Sequence, residues 1–317
     1  MTLRAGLRVI GADDIARVLT YGRLIEALRQ AFRDDITVPV RHHHTIARAG
    51  ADATLLLMPA WTAAFVGCKV VSVFPGNASH GQPSLYGSYL LLSGDTGEPV
   101  AVMDGRALTA WRTAAASALA ASFLARTGAS HLVMVGAGAL APHLIAAHAS
   151  VRPITRVTLW NRTRARAEQL AANLAPALTI AIADDLEPAV READIVSCAT
   201  LSSEPLVRGA WLKTGAHVDL VGGFTPAMRE ADDAVVTRAR VYVDTRTACR
   251  EAGDIADPIR RGVITERDVK GDLFDLCRGT ADGRRTADEI TLFKSVGSAL
   301  EDLAAAMLVW QEISPKT

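Results

Sequence analysis

Gly136-Ala137-Gly138-Ala139-Leu140-Ala141 is the segment that most restricts what this chain can fold into. It follows the apolar run His131–Val135 and opens an Ala-rich stretch that reads as a helix to about Val151. In that setting each residue of G-x-G-x-x-A has a physical purpose. The first glycine permits a tight strand-to-helix turn, and the second lets a pyrophosphate approach the backbone. The small third residue lets the helix lie close to the strand, with its N-terminus facing the anion. The pattern predicts a dinucleotide site with Gly136, Gly138, Ala139 and Leu140 as cofactor-binding positions. A tight turn without a ligand is the competing explanation.

The neighbouring pattern supports a Rossmann-type parallel sheet. Thr155–Trp160, Thr179–Ala183, Ile195–Ala199, His217–Val221 and Val241–Val243 read as strands, mostly separated by helical stretches such as Arg164–Leu174. The first third reads instead as α+β. Asp13 and Asp14 are placed to cap a first helix, and Leu24, Leu28 and Phe32 mark a second. Val38–Ile46, Thr54–Met58 and Val66–Val73 read as strands, and Ser88–Leu92 with Val100–Asp104 as an antiparallel hairpin about a polar turn. An Ala-rich helix spans Leu108–Arg126, and a long final helix is expected from Thr291 to about Glu312. The fold class is therefore α/β in two domains. Residues 121–293 form the dinucleotide-binding domain, and residues 1–120 with 294–317 form the mixed one.

Composition excludes several function classes. Lys+Arg and Asp+Glu both number 34, and no basic run breaks that balance, so nucleic acid is not an expected partner. No stretch of about 18 uninterrupted apolar residues predicts a membrane span. The N-terminus lacks the apolar core of a secretory signal. Cys68, Cys198, Cys249 and Cys277 are scattered without zinc or redox spacing, so they read as free thiols in a reducing compartment, the cytoplasm. His42, His43 and His44 have no nearby carboxylate or cysteine to complete a site, and no metal is expected.

The end of the second parallel strand selects the cofactor. An NAD enzyme usually carries an acid there to hold the ribose hydroxyls. Here Val157–Trp160 runs into Asn161-Arg162-Thr163, with Arg166 one turn further on. No carboxylate repels a 2′-phosphate, and Arg162 offers it two N–H groups. NADP(H) is thus the preferred cofactor, with NAD(H) as the alternative, unless the two arginines are only solvated residues of a helix start.

With these residues in place the chain resembles the ornithine cyclodeaminase/mu-crystallin family nearly end to end. The most specific segment is Leu108-Thr109-Ala110-Trp111-Arg112-Thr113-Ala114-Ala115. Pro39-Val40-Arg41, Gly67-Cys68-Lys69, Gln82-Pro83-Ser84, Thr96-Gly97-Glu98-Pro99, Cys198-Ala199-Thr200, Gly253-Asp254-Ile255 and Phe293-Lys294-Ser295-Val296-Gly297 extend it. The resemblance implies a homodimer whose N-terminal domains join their sheets, and a substrate pocket between the two domains. It also implies that Arg41, Lys69 and Arg112 bind substrate, with Lys69 catalytic. Ser84 and Thr113 match positions that touch the nicotinamide end or the phosphates in the family, and Lys294 matches a position near the cofactor; Arg112, Asn161, Arg162 and Thr163 are further expected cofactor contacts, and Thr200 ends the fourth strand at the carboxyl edge where ligands bind. Chemistry makes the cations suitable. Guanidinium holds a carboxylate bidentately, and a lysine flanked by two arginines should have a lowered pKa suited to proton transfer. Lys69 lies inside Val66–Val71, where a strand buried on both faces would hold it inward. The competing explanation for each cation is an exposed surface charge; for Lys294, an exposed place at a helix start.

One departure from the family pattern separates activities. Ornithine cyclodeaminases carry an aspartate after the Gly-Gly that follows the fifth strand, and this chain carries Phe224 there. A phenyl ring neither accepts a proton nor binds an ammonium. The run Gly223-Phe224-Thr225-Pro226-Ala227-Met228-Arg229-Glu230 resembles the branch that reduces cyclic ketimines. The expected function is NAD(P)H-dependent reduction of a small cyclic imino acid, giving L-proline from 1-pyrroline-2-carboxylate and L-pipecolate from 1-piperideine-2-carboxylate. Phe224 would lie against the substrate, or merely pack beneath its loop. The rivals are a cyclodeaminase or alanine dehydrogenase on the same scaffold, and a non-catalytic NADP-dependent binding protein.

Overall fold

Short apolar runs bounded by turn residues become strands, and their pairing sorts them into two sheets. The computed structural model describes residues 6–48, 50–174 and 178–314. The chain separates into one unit made of Met1–Arg112 and Ser298–Thr317, and a second made of Thr113–Gly297.

The first unit is built on β1 (Arg8–Ile10), β2 (His42–Ile46), β3 (Ala53–Trp61), β4 (Phe65–Val73), β5 (Leu85–Ser93) and β6 (Pro99–Asp104). They lie in the order β1-β6-β5-β4-β3-β2, antiparallel except that β1 runs parallel to β6. The expected hairpin is β5–β6. Ser93 N–H donates to Glu98 O at 2.9 Å, and Gly97 closes the turn at φ +72°, a conformation open to glycine. In β4, Gly67, Lys69 and Val71 are buried and the residues between them are only half-buried. The strand is thus covered on one face, not on both as its apolar run suggested. An antiparallel sheet needs cover on one side only, and the C-terminal helix Ala299–Ile313 supplies it, packing on β3, β4 and the helix Tyr21–Arg33. That last helix turns Leu24, Leu28 and Phe32 inward, as their spacing requires. In the helix before it, Ala12–Val18, Gly11 and not an aspartate is the N-cap, and Asp14 reaches back to accept the Gly11 N–H at 3.2 Å.

Asp104 ends β6 and caps the next helix, Gly105–Leu124, accepting hydrogen bonds from Arg106 and Ala107 N–H, each at 2.9 Å. A Cβ on Gly105 would stand 2.7 Å from the carbonyl carbon of Gly87. The helix start is therefore pressed against β5, which fixes the place of Arg112 two turns later.

The second unit is built on β7 (His131–Val135), β8 (Arg156–Trp160), β9 (Thr179–Ile182), β10 (Ile195–Cys198), β11 (His217–Leu220), β12 (Arg240–Val243), β13 (Val269–Asp272) and β14 (Thr291–Lys294). All are parallel, in the order β13-β12-β14-β11-β10-β7-β8-β9. The chain winds one way from β7 to β9 and the other way from β10, so the topological switch lies between β7 and β10. Ligands of such sheets bind there, at the carboxyl edge.

The structure corrects the expected final helix. Thr291–Lys294 is a strand inserted between β11 and β12, and the helix begins only at Ala299. Gly297 at φ +81° breaks the chain direction, and Ser298 Oγ accepts the Leu300 N–H at 3.3 Å as the N-cap. Four residues carry too little periodicity to separate a buried strand from the start of an apolar helix. Strands β1 and β13 escaped notice for the same reason. The Val38–Ile46 run is also shorter than expected, with only His42–Ile46 in the sheet and Arg41 just before it.

Candidate active site

Lys69 stands in the middle of β4, opposite Met58 of β3 and Tyr89 of β5. It is 4% exposed. Its Nζ lies 2.7 Å from Asp302 Oδ2, in the first turn of the C-terminal helix. Arg112 reaches the same acid: its Nε donates to Asp302 Oδ1 at 3.0 Å, and its Nη1 donates to Glu301 Oε2 at 2.7 Å. Glu301 and Asp302 are fully buried. Two cations and two anions thus form a buried quartet within the first unit whose formal charges cancel. The Tyr89 hydroxyl is buried beside it without a hydrogen-bond partner among the described residues. A Cβ on Gly67 would sit 1.9 Å from that hydroxyl, so the Gly-Cys-Lys segment needs its glycine to admit Tyr89.

Electrostatics tunes the quartet. Burial lowers the Lys69 pKa to about 8, with Asp302 opposing the fall and Arg112 adding to it. The expected lowering is present, but its main cause is desolvation, not flanking arginines. Burial works against the charge on Arg112 too, yet Asp302 and Glu301 outweigh it and raise its pKa. Burial disfavours the Asp302 carboxylate, and Arg112 and Lys69 overcome that and hold its pKa below the usual value. Arg41 is half-buried ahead of β2, and Ser84 is half-buried at the entry to β5. The His42 and His44 rings share one face of β2, their centroids 6.3 Å apart. Trp111 packs on Tyr21 at 4.6 Å between ring centroids.

In the second unit the glycine turn follows β7. Gly136 takes φ +105°, and a Cβ there would lie 2.7 Å from Ala199 O beyond β10. The turn therefore crosses the switch point at a distance only glycine permits. A Cβ on Gly138 would meet nothing, and a hollow lined by Ala137, Gly138, Ala139 and Arg166 opens beside it. That cradle, leading into the helix Ala141–Val151, fits a dinucleotide pyrophosphate. Asn161 fastens the turn: its Oδ1 accepts the Ala137 N–H at 3.1 Å and its Nδ2 donates to Thr163 O at 2.9 Å. Arg162 is exposed at the end of β8 and makes no ion pair among the described residues, whereas Arg164 is tied to Glu168 and Asp184. Thr113, next to Arg112 on its helix, is buried.

Lys294 is the largest departure from expectation at this end of the chain. It is not an exposed residue at a helix start but the fully buried last residue of β14, with Nζ 3.3 Å from Asp254 Oδ2 and 4.0 Å from Glu230 Oε2. Glu230 in turn accepts hydrogen bonds from Thr200 after β10 and from Gly222 and Gly223 after β11. Phe224, the next residue, is 48% exposed and does not pack beneath its loop.

The sequence profile of the ornithine cyclodeaminase/mu-crystallin family matches residues 9–317. The chain belongs to this family. Among its family relatives is the Delta(1)-pyrroline-2-carboxylate reductase of Colwellia psychrerythraea, 37% identical over 97% of this chain and 100% of the relative. The structure of Thermococcus litoralis Delta(1)-pyrroline-2-carboxylate reductase in complex with NADH and L-proline superimposes with a TM-score of 0.90 at 31% identity, over 96% of both chains. An archaeal alanine dehydrogenase dimer with bound NAD superimposes with a TM-score of 0.89 at 27% identity, over 96% of this chain and 95% of that one.

Sequence reasoning found this family member's cations and missed their partners. Glu301 and Asp302 are the only charges between Ala299 and Val309. Two acids in an otherwise apolar helix must be paired if they face inward, and that was the available signal. Glu230 and Asp254 lay inside quoted motifs, but only the tertiary structure brings them to Lys294.

Proposed function

We propose that this chain is an NAD(P)H-dependent reductase of cyclic imino acids, forming L-proline from 1-pyrroline-2-carboxylate and L-pipecolate from 1-piperideine-2-carboxylate. The observation that carries this reading is the buried contact of Lys69 and Arg112 with one carboxylate, Asp302. It offers a proton donor and a carboxylate clamp at a fixed spacing. Arg112, with Arg41, holds the substrate carboxylate. Lys69 gives its proton to the imine nitrogen, becomes a neutral amine and regains a proton from solvent. A lysine whose pKa sits near 8 suits that exchange at neutral pH.

Gly136, Gly138, Ala139, Leu140, Asn161, Thr163, Thr200 and Lys294 form or support the dinucleotide site. When bound, the nicotinamide supplies the hydride. Arg162, exposed and without an ion-pair partner among the described residues, and the lack of an acid at the end of β8 support NADPH as the preferred form. Phe224 offers a flat apolar surface to the substrate ring in place of the aspartate that serves deamination. Assembly is a homodimer, and the exposed Val9 and Val40 of the first unit support a partner surface there.

A second reading, reductive amination of a 2-oxo acid, is favoured by the likeness to an alanine dehydrogenase. One panel separates them. Purified protein is mixed with NADPH and either a cyclic imino acid or pyruvate with ammonium, and absorbance is followed. Ornithine with NAD⁺ is assayed for ammonia. Imine turnover alone supports the proposal; ammonia from ornithine without imine turnover overturns it.

A further inference from the structure

Among the described residues, the Asp302 carboxylate touches both cations of the first unit's cluster. Its Oδ2 faces Lys69 Nζ at 2.7 Å and its Oδ1 accepts from Arg112 Nε at 3.0 Å. Glu301 contacts Arg112 through Nη1 at 2.7 Å and acts on Lys69 more weakly than Asp302 does. Building on the imine-reductase reading, we propose that Asp302 is the positioning residue of that site: a single planar carboxylate whose two oxygens set the separation of the proton donor from the carboxylate clamp.

The groups around Lys69 show why one acid has this leverage. From the C-terminal helix it faces Asp302 and, further off, Glu301; from the Gly105–Leu124 helix it faces Arg112. Its cross-strand neighbours are Tyr89 on β5 and the apolar Met58 on β3. Burial and Arg112 both favour the neutral amine, and Asp302 is the largest influence holding the ammonium. Removing one member of a buried ion pair leaves the other charge uncompensated. The first turn of a helix is also a favourable place for that carboxylate, since the helix dipole supports a negative charge there. Asp302 therefore acts through Lys69 and Arg112 and need not touch the substrate.

The test reads Lys69 directly. Lys69, Lys213, Lys270, Lys294 and Lys316 are the chain's lysines, so a full-length sample labelled with ¹³C-lysine gives few signals. The Lys69 signal is assigned by its loss in Lys69→Arg. In Asp302→Asn, which keeps size and an acceptor for Arg112, the Lys69 titration midpoint should fall by roughly one pH unit or more. The alkaline decline of kcat with 1-pyrroline-2-carboxylate and NADPH should move down by the same amount. Glu301→Gln should raise KM and leave that decline in place. Asp302→Glu should keep the midpoint near wild type but lower kcat, because the charge remains and the spacing changes. A Lys69 midpoint unmoved in folded Asp302→Asn overturns the proposal, as does an unmoved midpoint accompanied by wild-type kcat in Asp302→Glu. If wild-type protein reduces no imine, the functional reading fails on that result, while the titration still decides whether Asp302 governs Lys69.

Discussion

Glu230 holds Thr200 by both its backbone and its side chain: Oε1 accepts the Thr200 N–H at 2.7 Å and the Thr200 hydroxyl at 2.8 Å. Its other oxygen accepts Gly222 N–H at 2.7 Å and Gly223 N–H at 3.3 Å. One buried carboxylate thus ties the loop after β10 to the loop after β11, at the carboxyl edge of the sheet, the edge that open α/β sheets use for ligands. The approach is close: a Cβ on Gly222 would lie 1.9 Å from Thr200 O. Burial pushes the Glu230 carboxyl up, and Lys294 pulls it back.

Glu230→Ala leaves those buried donors unpartnered. The expected loss is about 2–5 kcal/mol of stability. Dinucleotide affinity should fall roughly tenfold or more, since each 1.4 kcal/mol is tenfold. Thermal unfolding and fluorescence titration with NADPH measure both. Wild-type values for the two together would mean that the loops are held by other means.

Arg162→Ala should weaken NADPH far more than NADH. An exposed guanidinium without an ion-pair partner among the described residues is available to a 2′-phosphate. Losing a charge-assisted contact of that kind costs roughly 1.5–3 kcal/mol, or about ten- to hundredfold in affinity. Equal losses for both cofactors would rule out the phosphate contact.

Arg112 needs a gentler substitution than alanine. Removing it takes the guanidinium away from two buried carboxylates and leaves Lys69, among the described residues, as the cation beside Asp302, a penalty of about 3–5 kcal/mol. Arg112→Lys keeps the charge and loses the planar fork. It should raise KM for the imino acid about tenfold or more with little change in NADPH affinity. Unchanged KM in this variant would remove Arg112 from the substrate clamp.

His217 predicts an acid-side loss of stability. It is fully buried on β11, with Nδ1 2.9 Å from Thr291 Oγ1 and, among the described residues, no hydrogen-bond partner on Nε2. Burial lowers its pKa to about 3, against an ordinary 6.5. The unfolded chain therefore binds the proton first as pH falls. This contribution is complete above pH 6.5 and is lost progressively toward pH 3, amounting to roughly 3–5 kcal/mol. Urea unfolding at pH 7.5, 6 and 5 should show the decline, and His217→Gln should flatten it. A wild-type curve level across that range would show that His217 is not buried in the neutral form.

Legibility differed between fold and site for a physical reason. Repeated strand–helix alternation and the glycine turn made the parallel sheet readable, because each leaves a local pattern several residues long. Thr291–Lys294 did not, because four residues fit either an apolar helix or a strand with neighbours on both sides. Lys69 and Arg112 were readable from their motifs. Tyr89, Asp302, Glu230 and Asp254 were not, because their importance comes from contacts across the sheet or across distant loops.

The sequence alone determined the residue types of the candidate site: a lysine inside an apolar strand, an arginine at the start of an Ala-rich helix, glycines after a strand, and Phe224 after the Gly222-Gly223 pair. Tertiary structure decided what those residues are. It set Lys69 against Asp302, it buried Lys294 against Asp254, and it left Phe224 half exposed. Burial and long-range pairing fix charge state and orientation through desolvation and Coulomb forces, and neither is written in the order of neighbouring residues.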